Sequence, residues 1–144
     1  NKKLSSDKVA TVASIIAKDK KIRKLVHAFQ VECAYNPPKK YDGSCLDGRD
    51  CGSVVVKDAD VKFYITASLK VRASRRYKEL KAKNKRITYK EVLKSIRKRD
   101  KSDKNRKISP LKKTKDMVLL NSSSESISSC FIKIKKIIDR KINN

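Results

Sequence analysis

Histidine, tryptophan, glycine and acidic side chains are all scarce in this chain. Its 144 residues include one histidine, His27, no tryptophan and three glycines. Of the four cysteines, Cys33, Cys45, Cys51 and Cys130, none forms a Cys-x-x-Cys pair with another. A lone histidine and widely spaced thiols argue against a zinc site. An even cysteine count is weak evidence for disulfides, and a reduced cytoplasm is the expected compartment. No stretch of about 18 apolar residues and no secretory apolar core is present, which argues against membrane insertion and export. Aromatics make up 6% and apolar residues 38%, so the single core that this length permits is lean and aliphatic.

Acidic residues number 15 against 39 Lys and Arg, for a net charge of +24. Such a charge draws a chain toward nucleic acid or an anionic surface. It also arises when Lys fills solvated faces by compositional drift, and no single basic block dominates here. A basic nucleic-acid-binding module is therefore the alternative reading of function. Against it stands the lack of an aromatic stacking platform or a docking motif.

Two of the three glycines fall in one stretch, Asp47-Gly48-Arg49-Asp50-Cys51-Gly52-Ser53-Val54-Val55-Val56. Glycine admits positive φ and lets backbone approach a ligand closely. An Arg fork pairs bidentately with phosphate. The stretch reads as a turn presenting an Arg and an Asp to an anion, delivered by a short strand at Cys45–Asp47.

Helical periodicity places helices at about Lys8–Ala17, capped by Ser5-Ser6-Asp7, and at Lys20 to about Tyr35, ended by Pro37-Pro38. Val54–Val56 reads as briefly extended and Val61–Ala67 as a strand rich in β-branched and aromatic residues. Ser68 is the expected cap of a helix from Leu69 to about Lys83, broken at Asn84-Lys85. Thr88 and Glu91 form a capping box for a helix from Tyr89 to about Lys104. A strand at Met117–Leu120 and a helix from about Ser126 to Ile142 complete the pattern. Strands alternating with helices from residue 45 onward imply an α/β fold with a parallel sheet.

Arg99, Asp103 and Arg106 share a face of one expected helix, at i, i+4 and i+7. Arg72, Arg75 and Arg76 form a second basic cluster on the preceding helix. Either set suits a phosphorylated ligand, and either is equally a solvated face of low energetic weight. His27 has no evident partner.

Taken together, the motifs resemble bacterial cytidylate kinase. They run Asp47-Gly48-Arg49-Asp50-x-Gly-Ser-Val-Val, Asp58-Ala59-Asp60-Val61-Lys62, Arg72-Ala73-x-Arg75-Arg76-Tyr77, Arg97-Lys98-Arg99-Asp100-x-x-Asp103-x-Asn105-Arg106 and Ser109-Pro110-Leu111. The resemblance spans about Ser5 to Ile138. It implies a three-layer P-loop NTPase-like α/β fold that uses magnesium to transfer the γ-phosphoryl of ATP to CMP or dCMP. It further implies that Ser14, Arg23 and Asp50 recognise cytosine, that Arg49 and Arg106 hold the CMP phosphate, and that Arg99 and Asp103 contact the sugar. Arg75 or Arg76 would approach ATP and, with Arg99 and Arg106, serve catalysis. Residues 1–40 become the helical part of the CMP region and 41–144 the core, with a lid at about 72–106. A cytoplasmic monomer is expected.

The sequence departs from the family pattern at Cys51, where a larger apolar residue is usual, at Ser53, at Val56-Lys57 and at Asn121. The larger departure is the lack of any Gly-x-x-x-x-Gly-Lys-[Ser/Thr] motif, or of any Gly-Lys pair at all. With Asn rather than Met at residue 1, the chain reads as the C-terminal portion of a longer kinase, or else as a decayed relative, inactive by itself. A missing central P-loop strand would leave Cys45–Asp47 and Val61–Ala67 unpaired with each other.

Overall fold

A computed structural model describes residues 7–17, 19–83 and 86–142. In chain order these form helices α1 (Asp7–Ile16) and α2 (Lys20–Tyr35), a π-helical turn (Cys51–Val55), strand β1 (Phe63–Thr66), helices α3 (Leu69–Lys83) and α4 (Tyr89–Asn105), strand β2 (Val118–Asn121) and helix α5 (Ile127–Ile142). Two compact units result, one of Asn1–Lys57 with Lys101–Lys112 and one of Asp58–Asp100 with Lys113–Asn144. None of the described helices is long and apolar enough to cross a membrane.

In the first unit, Asp19 caps α2. Its carboxylate accepts from the N–H groups of Lys21 at 2.8 Å and Ile22 at 3.0 Å. The helix ends where Asn36 N–H reaches the Glu32 carbonyl, just before Pro37-Pro38. The apolar side of α2 is uncovered, with Leu25 and Phe29 among the most exposed apolar residues. Among the described residues of this unit Val55 is the buried apolar one, and Asp50 and Asp103 are buried too.

Two sequence expectations fail in this unit. Cys45–Asp47 forms no strand, because a three-residue segment needs a neighbouring strand to hold it extended. Residues Val54–Val56 do not begin an extended run. Instead the Asp50 carbonyl accepts from the N–H groups of Ser53, Val54 and Val55 at 3.3, 2.9 and 3.3 Å, which winds Cys51–Val55 into the π-helical turn. Of the expected Ser5-Ser6-Asp7 cap, Ser5 and Ser6 lie outside the described residues, and α1 begins at Asp7.

In the second unit, β1 and β2 pair in parallel, with Phe63 opposite Val118 and Thr66 opposite Asn121. A parallel pair needs a long crossover, and the chain supplies α3 and α4 between the strands. The α/β class with a parallel sheet is as expected, although the sheet has two strands among the described residues. Among the described residues of this unit the one ladder joins β1 to β2.

Ala67, Ala73, Val92, Met117 and Leu120 form the buried core of this unit. The expected caps are present. Val71 N–H donates to Ser68 Oγ at 3.3 Å. Thr88 donates N–H and hydroxyl to Glu91 at 2.9 and 2.7 Å while Glu91 N–H returns to Thr88 Oγ1 at 3.3 Å. Tyr77 and Tyr89 meet edge to face at 6.0 Å and join the two helices.

Candidate functional site

The site grows from the Gly48-Arg49-Asp50 turn. Gly48 leaves room rather than supplying an unusual backbone angle, since no described glycine has positive φ. A Cβ at Gly48 would lie 2.6 Å from Cys51 Sγ, so the thiol occupies the space that a side chain would need. Burial first, and then the charges of Asp50 and Asp47, push the Cys51 thiol above its ordinary value of 9.0. It is a neutral packing group at physiological pH.

Asp50 is 8% exposed and holds two guanidiniums. Arg23 of α2 donates from Nη2 to its Oδ2. Arg106 Nη2 lies 3.7 Å from its Oδ1. Next in sequence, Arg49 donates from Nε to Asp103 Oδ2 at 3.1 Å, and Asp103 is 5% exposed. Arg106 is fixed from its own side by donating Nε to the Ser109 carbonyl. Ser109 accepts that role in a left-handed conformation, φ 48°, which few non-glycine residues adopt. The Leu111 N–H closes the loop onto the Asp103 carbonyl at 2.8 Å.

Arg106 therefore does not ride on a helical face with Asp103, as the i, i+4, i+7 spacing predicts. Helix α4 ends at Asn105, and Arg106 lies on the turn that follows. Nor is this a solvated pair, because the Arg106 side chain is 7% exposed. Its Nη2 is buried and donates no hydrogen bond. A buried guanidinium nitrogen without an acceptor costs about 1–3 kcal/mol unless another oxygen reaches it. Three arginines face two buried carboxylates here, so the cluster of Arg23, Arg49, Asp50, Asp103 and Arg106 has an excess of one positive charge. It offers an anion fixed donors at little cost in reorganisation.

The remaining predicted residues fall elsewhere. Ser14 lies on α1, and its side chain is outside the described residues. Arg72, Arg75, Arg76 and Arg99 belong to the second unit. Arg72 grips Asp100 with two bonds of 2.8 and 2.7 Å and donates Nε to the Ala67 carbonyl at 2.9 Å. Arg75 ties α3 to the turn after β2, donating to Ser122 Oγ at 3.1 Å, to the Ser122 carbonyl at 2.6 Å and to the Glu125 carbonyl at 3.2 Å. Arg76 pairs with Glu79 on the same helix at 2.8 Å. Arg99 is exposed on α4. Asp100 as the partner of Arg72 went unread in the sequence, since a bond spanning 28 residues leaves no local signal.

Residues 1–140 match the family model described as cytidylate kinase. The chain belongs to the cytidylate kinase family. Over 115 residues it is 48% identical to a protein named cytidylate kinase from Clostridium botulinum (strain Okra / Type B1), covering 80% of this chain and 52% of that one. Over 134 residues it is 41% identical to a cytidylate kinase of Clostridium tetani (strain Massachusetts / E88), covering 93% and 57%. A Bartonella tribocorum (strain CIP 105476 / IBS 506) cytidylate kinase is 43% identical over 136 residues, covering 94% and 61%. The chain thus spans between 52% and 61% of the length of these family members. The family carries a P-loop NTPase fold, and the parallel β1–β2 pair is consistent with that class.

Proposed function

We propose that this chain supplies the nucleoside monophosphate side of a kinase that phosphorylates CMP or dCMP with ATP. The observation that carries the reading is the buried Arg106 Nη2, which has no acceptor yet sits beside Asp50 and in the same unit as Arg49. The phosphate oxygens of a nucleotide are the acceptors such a donor lacks. Phosphoryl transfer asks the protein for positioning and for neutralisation of spreading negative charge, more than for a covalent catalyst. Arg49 and Arg106 do this by holding the CMP phosphate. Asp103 and Asp50 keep those guanidiniums aimed before the ligand arrives. Arg23 and Asp50, with Ser14, present mixed donors and acceptors to the base, and Arg99 and Asp103 turn to the sugar. Arg75 and Arg76 would meet ATP as residues 72–106 close.

The ATP-phosphate cradle is not encoded in these residues. No Gly-Lys pair occurs in the sequence. Magnesium would supply charge neutralisation at the transferring phosphoryl group, and this reading assigns it mainly to parts of the kinase outside these residues. We infer that the 144 residues act as part of a longer kinase and do not turn over by themselves.

Titration calorimetry with CMP tests the acceptor site. Binding that weakens about tenfold or more in Arg49→Ala and in Arg106→Ala is the expected result. CMP affinity equal in all three proteins would overturn the assignment. ATP-dependent CDP formation by the purified chain would overturn the inference of inactivity.

A further inference from the structure

The two-stranded ladder leaves both of its outer edges unpaired among the described residues, and the β2 edge lies beside a row of cations. Val118 N–H donates to the Lys62 carbonyl at 2.9 Å and Ser122 N–H to the Thr66 carbonyl at 2.8 Å. Val118, Leu120 and Ser122 therefore turn their backbone groups toward β1, and Leu119 and Asn121 turn theirs away. No further strand takes them up among the described residues. A cleft of about 390 Å³ runs here, lined by Val118, Leu119, Leu120 and Asn121 and by no residue of β1. Successive strand residues lie on opposite faces of a sheet. A cleft that touches all four follows the edge rather than either face.

Its other wall is α5, through Lys133, Lys136, Ile137 and Arg140. These stand at i, i+3, i+4 and i+7, one face of the helix. Ile137 gives an apolar floor. Lys133 is engaged by Glu125, whereas Lys136 and Arg140 have no partner among the described residues.

We propose that this groove docks an extended acidic segment of another polypeptide, which joins β2 as a further strand. The outward backbone groups of Leu119 and Asn121 ask for a peptide backbone, the mode of strand addition. Lys136 and Arg140 are about 6 Å apart along the helix axis. Alternate residues of an extended peptide are about 6.6 Å apart, so carboxylates on one face of the incoming strand match both cations. A second copy of this chain carries the same +24 charge and is disfavoured by it. Nucleic acid would use the cations alone, with no aromatic side chain in the cleft for stacking.

The test is fluorescence anisotropy of a labelled alternating Glu-Val peptide with the whole chain. Three ligands are compared: this peptide, the same peptide N-methylated at alternate backbone amides, and an oligouridylate. Saturable binding is expected, weakened about tenfold or more both by N-methylation and by Lys136→Glu with Arg140→Glu. The methylated peptide probes the edge without altering the protein, and circular dichroism checks that the variant keeps its helices. Equal binding of the methylated peptide would reduce the effect to charge and overturn strand addition. So would no binding of either peptide, oligouridylate binding as tightly as the unmodified peptide, or a dimer in sedimentation that the charge-reversed variant loses.

Discussion

The Arg106 side chain and Asp50 are both buried, with Nη2 and Oδ1 at 3.7 Å, too long for a hydrogen bond and close enough for strong mutual attraction. The pair is held open by bonds on its outer sides, from Arg106 to the Ser109 carbonyl and from Arg23 to Asp50. That geometry leaves a buried donor directed at no acceptor and a carboxylate that holds it in place.

Replacing Asp50 by Asn therefore strands two guanidiniums, one of them 7% exposed. The expected loss is about 1–3 kcal/mol in unfolding free energy. Urea denaturation followed by circular dichroism measures it. An unchanged midpoint would show that the carboxylate is not what keeps the arginines in place.

Gly48→Ala is expected to destabilise by about 1–3 kcal/mol, because the new methyl would lie 2.6 Å from Cys51 Sγ. If that clash is the cause, adding Cys51→Ala restores most of the loss, and the two changes are strongly non-additive. Additive effects in the double-mutant cycle would place the cost elsewhere.

Much of the second unit was legible because its signals are local. The Thr88–Glu91 capping box, the Ser68 cap and the β-branched and aromatic run of Val61–Ala67 each act within a few residues; both caps are present, and the run forms a strand over Phe63–Thr66. The N-cap of α2 was readable in the same way, from an Asp just before the first helical residue, although it went unread. The turn after Asp50 was not legible. Ser-Val-Val-Val favours an extended chain, and only the Asp50 carbonyl, gathering three N–H groups, winds it up. In the candidate site, the sequence shows which arginines and aspartates are present but not who pairs with whom. Arg49 and Asp103 are 54 residues apart, and no spacing rule reaches that far. Family resemblance brought the site residues together, and the burial of Asp50, Asp103 and Arg106 separates them from an ordinary charged surface.

Cys51 should react more slowly than the two exposed thiols. Cys33 and Cys45 are exposed, whereas Cys51 is partly buried, with its thiol raised by that burial and by Asp50 and Asp47. Alkylation attacks the thiolate, so Cys51 is expected to label more slowly than Cys33 and Cys45 when iodoacetamide modification is followed by mass spectrometry. In Asp50→Asn, one of the two nearby negative charges is gone and the Cys51 rate should rise. Labelling of Cys51 as fast as Cys45 in the unaltered chain would contradict its placement against Gly48.

Acid should find a weak point at the start of the sheet. Lys62, next to β1, is bonded to Asp116, just before β2, and Thr114 donates to the same carboxyl. The Lys62 bond, and then that of Thr114, hold the Asp116 carboxyl at about 2, against an ordinary 3.8. Because the folded value is the lower one, the unfolded chain takes up a proton first as pH falls. The stabilisation is present in full above about 4 and is lost progressively as pH falls toward 2. Asp116→Asn removes it at every pH. The variant should therefore be less stable than the unaltered chain at neutral pH, and the gap should narrow as pH falls from about 4 toward 2 and close below the folded value. Paired urea titrations across that range measure the gap directly, and a difference that stayed constant with pH would show that Asp116 contributes by shape rather than by charge.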